Sequence, residues 1–129
     1  AGLHLLLAED NELNSEIATT LLEEQGASIT AVENGRLALE AIQNAAPRTY
    51  DAILMDVMMP EMNGLEATRC IRAFEGKGPG EGTPIIAMTA NVFADDVKAC
   101  LDAGMNSHVG KPLDMKVLIG EILKYTNAR

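Results

Sequence analysis

Five polar side chains stand where they can act together: Glu9, Asp10, Asp56, Thr89 and Lys111. Each follows a short run of strand type: LHLLLA before Glu9, AILM before Asp56, PIIAM before Thr89 and SHVG before Lys111. Three carboxylates brought together repel one another and call for a cation. Oxygen-only ligands favour a hard ion such as Mg2+, held by one or two carboxylates with waters and a phosphate oxygen. A hydroxyl and an ammonium on the other side can meet two further phosphoryl oxygens. The set therefore suits stabilising a phosphoryl group in transit. In that chemistry Asp56 is the nucleophile, and the product is an aspartyl phosphate.

Residues this far apart meet only if the strands before them share an edge. The central stretch is Tyr50 to Gly64, YDAILMDVMMPEMNG. Its apolar strand, Ala52 to Met55, delivers Asp56, and Met58, Met59, Pro60 and Gly64 then force a loop before a helix restarts. Leu3 to Ala8 does not alternate, which suits a strand covered on both faces. Ser28 to Val32, Pro84 to Met88 and Ser107 to Gly110 read as further short strands.

Helices fill the intervals. Asn11 caps the first, with Leu13, Ile17 and Leu21 at helical spacing and Gly26 ending it. Asn34-Gly35 reads as a turn before a second helix carrying Leu39 and Ile42, which Pro47 closes. Asn63 with Glu66 resembles a capping box, and Leu65, Thr68 and Ile71 share a face behind it. Phe93, Val97, Cys100 and Leu101 form the next stripe, stopped at Gly104. Asp114 caps a last helix whose inner face holds Val117, Leu118, Ile122 and Tyr125. Five strands alternating with five helices predict a parallel sheet with helices on both faces and right-handed crossovers. All strand carboxyl ends then share one edge, where ligand sites form in open α/β sheets.

Composition narrows the classes. The 129 residues suffice for one domain, and 47% of them are hydrophobic, which excludes a disordered chain. A net charge of −9 argues against direct nucleic-acid binding. No apolar run approaches a membrane span, and no signal peptide precedes the first strand, so no membrane contact is expected of this domain. The start at Ala1-Gly2, without Met, suggests a piece excised from a longer chain. Cys70 and Cys100 are too few for a metal or disulfide framework and read as reduced thiols of a cytoplasmic protein. The glycines at 76, 78, 80 and 82 follow a helix and precede a strand. A phosphate loop needs the reverse order with Gly-Lys-Ser/Thr, so this is a surface connection.

The segments LLLAEDN, LMDVMMPEMNG, IIAMTA and GKP, in this order and at these intervals, resemble the receiver domain of bacterial two-component response regulators over essentially the whole chain. The resemblance implies a (βα)5 flavodoxin-like three-layer sandwich whose five-stranded parallel sheet has the order 2-1-3-4-5, as in the chemotaxis receiver of the same family. It implies that Asp56 is the phosphoacceptor and that Glu9 and Asp10 place Mg2+ together with the main-chain carbonyl of Met58. Glu9 stands where many receivers carry Asp, and is expected to act through a metal-bound water. Thr89 matches the hydroxyl that swings to the phosphoryl group, and Lys111 the ammonium that pairs with Asp56. Lys111-Pro112 matches a bond that is cis in the family. His108 stands where the family carries Tyr or Phe that moves inward with Thr89. Met58 and Asn91 match positions that influence phosphoryl lifetime. His4 has no counterpart and reads as structural.

The expected function is a phosphorelay module that takes its phosphoryl group from a histidine kinase dimerisation domain or a histidine phosphotransfer domain and then switches conformation. EDN, MTAN and AGMNSHVGKPLD most resemble receivers of hybrid sensor histidine kinases, whose parent chains can be membrane-anchored. A stand-alone regulator and a transcription factor shorn of its DNA-binding part are the alternative parents. From another class, a phosphatase of the haloacid dehalogenase type would need a second Asp where Met58 stands. A degenerate receiver used as a scaffold would not keep all five site positions filled.

Overall fold

The computed structural model describes residues 3–46, 49–57, 62–76, 82–89, 94–110 and 114–126. Strands and helices alternate throughout: β1 (His4–Ala8), α1 (Glu12–Glu24), β2 (Ser28–Val32), α2 (Gly35–Asn44), β3 (Ala52–Asp56), α3 (Gly64–Glu75), β4 (Ile85–Thr89), α4 (Ala94–Ala103), β5 (Ser107–Gly110) and α5 (Met115–Thr126). The strands pair in parallel in the order β2-β1-β3-β4-β5, the order that the receiver resemblance implies.

Every residue of β3 and β4 is buried, because helices cover both faces of the sheet. Side chains alternate between two cores. Leu5, Leu7, Leu54, Ile86 and Met88 pack with α1 and α5 through Ala18, Leu22, Leu118 and Ile122. Leu6, Ile53, Met55, Ile85 and Ala87 pack on the other side with Ala38 of α2, Ala67 and Ile71 of α3, and Cys100 of α4. Among the described residues no helix is long and apolar enough to cross a membrane.

Four side chains start helices by accepting a backbone N–H that the helix leaves unpaired. Asn11 accepts from Asn14, Asn34 from Leu37, Asn63 from Glu66 and Asp114 from Lys116, each at 2.9 Å. Asn34-Gly35 is therefore not a free-standing turn: Asn34 caps α2 and Gly35 is its first residue.

The helix faces differ more from expectation. Leu13, Ile17 and Leu21 of α1 point outward, and Ala18 and Leu22 face the sheet. Leu101 and Val117 are likewise exposed, while Cys100, Leu118 and Ile122 are buried. Alanine is the reason on α1. A small residue lets the helix lie close on the sheet, and counting large apolar residues overlooks it. Phe93 and Pro47 lie outside the described residues.

Arg72, whose type and position alone suggest no role, ties together the amino edge of the sheet. Its Nε donates to the Gly104 carbonyl at 2.9 Å, one Nη to Glu75 and the Thr83 carbonyl, and the other to Asn106 Oδ1, each at 2.9 Å. Asn106 Oδ1 also accepts from the N–H of Ile85, the first residue of β4. One guanidinium thus joins the end of α3, the entry to β4 and the α4–β5 turn. Gly104 is required there: its φ is 113°, and a Cβ would lie 2.8 Å from Arg72 Cγ. Burial pulls the Arg72 guanidinium below its ordinary value, against the hydrogen bond and charge of Glu75, which raise it. His4 lies at the same edge, its Nε2 2.8 Å from Thr30 Oγ1 and its ring against Tyr50.

Candidate functional site

Asp56 is the last residue of β3, opposite Met88 of β4. On its other side Met55 pairs with Ala8, so the chain leaving β1 passes beside Asp56. The next residue, Glu9, still donates its N–H to the Val32 carbonyl, which holds it in line with the sheet. Carboxylate oxygens of Glu9, Asp10 and Asp56 lie within 4.8 Å of one another. Glu9 and Asp56 are buried and Asp10 is exposed, so the cluster opens toward solvent on one side. The N–H of Asn11 donates to Glu9 Oε2 at 3.2 Å, which orients that longer side chain.

Backbone contacts fix the loop after β3 at both ends. Val57 donates to the Met88 carbonyl at 3.2 Å, and Gly64 returns to the Val57 carbonyl at 3.0 Å. The first turn of α3 therefore lies directly on the strand end. A Cβ at position 64 would collide with the Asp56 carbonyl oxygen and meet Val57 Cα at 3.0 Å. Sequence reasoning saw Gly64 only as a loop former; a glycine straight after a good capping residue was the available signal. Gly64→Ala is expected to cost about 1–3 kcal/mol through overpacking and to displace Asp56. Urea denaturation measures the first effect, and NMR chemical shifts at Asp56 measure the second.

Thr89 ends β4 and is buried, one residue beyond the partner of Asp56 and opposite Gly110. His108 on β5 is half-buried and pairs with Ala87. Thr89 lies two residues beyond Ala87, so it shares that sheet face, and His108, paired with Ala87, lies there too. This is the side on which α3 and α4 pack. The structure thus gathers Glu9, Asp10 and Asp56, with Thr89 on the adjoining strand. Met58, Asn91, Lys111 and Pro112 lie outside the described residues.

The donor set fits a hard divalent cation. All its atoms are carboxylate oxygens, two of the three acids are buried, and one side is open for water or a phosphoryl oxygen. Any cation there would offset repulsion that burial makes stronger.

The response regulator receiver domain model matches residues 5–123, and the chain belongs to this family. A curated relative, probable histidine kinase 1 of Oryza sativa subsp. indica, is 41% identical over 87% of this chain, which spans 14% of that kinase. Among solved structures, the receiver domain of sensor histidine kinase PA1611 from Pseudomonas aeruginosa is 37% identical, with TM-score 0.84 over 98% of this chain and 99% of that one. That protein holds a magnesium ion coordinated in its active site cleft. The co-crystal structure of the Saccharomyces cerevisiae histidine phosphotransfer protein Ypd1 and the receiver domain of Ssk1 matches at 26% identity and TM-score 0.87, over 98% of this chain and 90% of that one.

Proposed function

We propose that this receiver accepts a phosphoryl group on Asp56 from a phosphohistidine. The donor is a histidine kinase dimerisation domain or a histidine phosphotransfer domain. The observation that carries this reading is the meeting of Glu9, Asp10 and Asp56 at the carboxyl edge of adjacent strands. An Asp56 carboxylate oxygen attacks phosphorus as the P–N bond breaks. The donor nitrogen leaves with the electron pair, departing as neutral imidazole when its other ring nitrogen is protonated. Glu9 and Asp10, with Asp56, would hold Mg2+, which when bound supplies positive charge against the carboxylates and the phosphoryl oxygens. The Thr89 hydroxyl and the Lys111 ammonium meet the remaining oxygens.

Phosphorylation then shifts a two-state equilibrium on the α4–β5 side through Thr89 and His108. Their common sheet face supports that role. The receiver resemblance assigns the Met58 carbonyl to the ligands that would hold the metal, and Met58 and Asn91 to control of how long the phosphoryl group lasts. The chain spans a small part of the curated kinases it matches, and a single receiver domain of a hybrid sensor histidine kinase, on the cytoplasmic side, is the parent architecture we favour. The test is incubation with acetyl phosphate, with and without Mg2+, followed by intact-mass measurement. One added phosphoryl group, dependent on Mg2+, is expected. An unmodified chain under conditions that keep it folded would overturn the reading.

A further inference from the structure

Beyond the Ala8–Met55 pair, β1 and β3 part, and each outgoing chain makes a main-chain bond to the strand on its far side. Glu9 donates to the Val32 carbonyl of β2 at 3.1 Å, and Val57 donates to the Met88 carbonyl of β4 at 3.2 Å. The segment after β2 also reaches the β3 side. Asn34 is extended, with φ −155° and ψ 174°, and the N–H of Gly35 donates to the Met62 carbonyl at 3.0 Å. Two residues after Met62, Gly64 donates to the Val57 carbonyl at 3.0 Å. Covalent chain and main-chain hydrogen bonds thus alternate from Glu9, through Val32–Gly35 and Met62–Gly64, to the residue after Asp56. Gly35 makes this contact because it has no side chain. A Cβ there would collide with the Met62 carbonyl oxygen, lie 2.9 Å from Ala67 Cβ and meet the Asn63 carbonyl oxygen at 3.0 Å.

We propose that Val32–Gly35 is a brace that sets the separation of Glu9 and Asp10 from Asp56, with Gly35 as a positioning residue for Mg2+ binding and phosphoryl transfer. The inference rests on the phosphoacceptor reading above. Three observations carry it. The span is short: three residues of chain reach about 10 Å at most, so Glu9 and Met62 stay together while both bonds hold. The brace is anchored, since the Asn34 side chain accepts from Leu37 at 2.9 Å and Ala38 of the same helix is fully buried against the sheet. Two of the three atoms nearest a Cβ at position 35 are backbone oxygens, which yield less than the end of a side chain. The Met62–Gly64 segment therefore moves with Gly35, and Gly64 lies directly on the Asp56 carbonyl. A cluster of metal-binding carboxylates tolerates little misplacement, and groups that hold such ligands in place typically alter metal affinity by about 10–100-fold.

The test uses the whole chain. Gly35→Ala is expected to raise the Mg2+ dissociation constant about 10–100-fold, read by isothermal titration calorimetry, and labelling by acetyl phosphate then needs correspondingly more Mg2+. Gly104→Ala is the matched control. Its Cβ would crowd Arg72 at the opposite edge of the sheet, so it lowers stability in urea and leaves the Mg2+ dissociation constant unchanged. Gly35→Pro keeps a helix start, since proline suits the first helical position, but it adds the same collision and removes the donor to Met62. It is expected to weaken Mg2+ binding at least as much as Gly35→Ala. The unmodified chain supplies a reading that needs no variant: Mg2+ shifts the NMR amide resonance of Gly35 together with that of Glu9, and leaves that of Gly104 in place. Three results would overturn the proposal: a folded Gly35→Ala chain with undiminished Mg2+ affinity, an equal loss of affinity in Gly104→Ala, or a Gly35 amide resonance that stays fixed while that of Glu9 moves. A wild-type chain that binds Mg2+ but takes no label from acetyl phosphate instead refutes the phosphoacceptor reading, and the Mg2+ readings still decide the brace.

Discussion

Asp56→Asn is expected to reduce phosphoryl incorporation to background with every donor, small molecule or protein. The substitution preserves size and shape at the end of β3, where the side chain is buried, but exchanges a nucleophilic carboxylate oxygen for a neutral amide. Glu9 and Asp10 leave the sheet from the neighbouring strand, and in the proposed reading they serve the metal rather than the phosphoryl group. Loss of one of three negative ligands also weakens Mg2+ binding, by about tenfold if it removes roughly 1.4 kcal/mol. Intact-mass measurement reads the first effect and a Mg2+ titration the second. Circular dichroism confirms that the variant is folded. Label retained at wild-type level would place the acceptor elsewhere.

Arg72→Met carries the largest expected cost to stability, about 3–5 kcal/mol, because it removes one partner of a buried pair and strands the other. The Arg72 and Glu75 side chains are only 9% and 13% exposed. Without the guanidinium, the carbonyls of Gly104 and Thr83 lose a donor in the protein interior. Glu75 keeps its bonds to the Thr83 N–H and hydroxyl, so its charge stays fixed in place. Against a typical total of about 5–15 kcal/mol, the loss is a large share. Urea denaturation measures it, and adding Glu75→Gln should recover part of it by removing the stranded charge. Phosphorylation of Asp56 in the fraction still folded should be little changed, since Arg72 acts at the opposite edge of the sheet.

The strands and the carboxylate cluster were legible for one physical reason. Parallel strands buried on both faces are continuous apolar runs, and the residue that ends each run is fixed at the shared edge. LHLLLA, AILM and PIIAM needed no further information. Helix faces were less legible, because periodicity reports a stripe without saying what covers it. Leu13, Ile17 and Leu21 make as regular a stripe as Ala18 and Leu22 do, and the sheet took the one with the small residue. Leu101 and Val117 were misplaced for the same reason. Arg72 was hidden for a different one: its role depends on carbonyls at Thr83 and Gly104 that only the folded chain brings near. Its spacing of three from Glu75, just before the helix-ending Gly76, was the only trace in the sequence.

The pairing of Ala8 with Met55 has an energetic corollary. Glu9-Asp10 and Asp56 are neighbours only while β1 and β3 are joined, so an unfolded chain offers no such cluster to an ion. Whatever occupies the cluster therefore shifts the folding equilibrium as well, by about 2.7 kcal/mol when free ion stands at a hundred times its dissociation constant. Divalent ion concentration becomes a control on how long the β1–β3 junction stays closed, and hydrogen exchange at its amides would record occupancy even where no phosphoryl group is ever transferred.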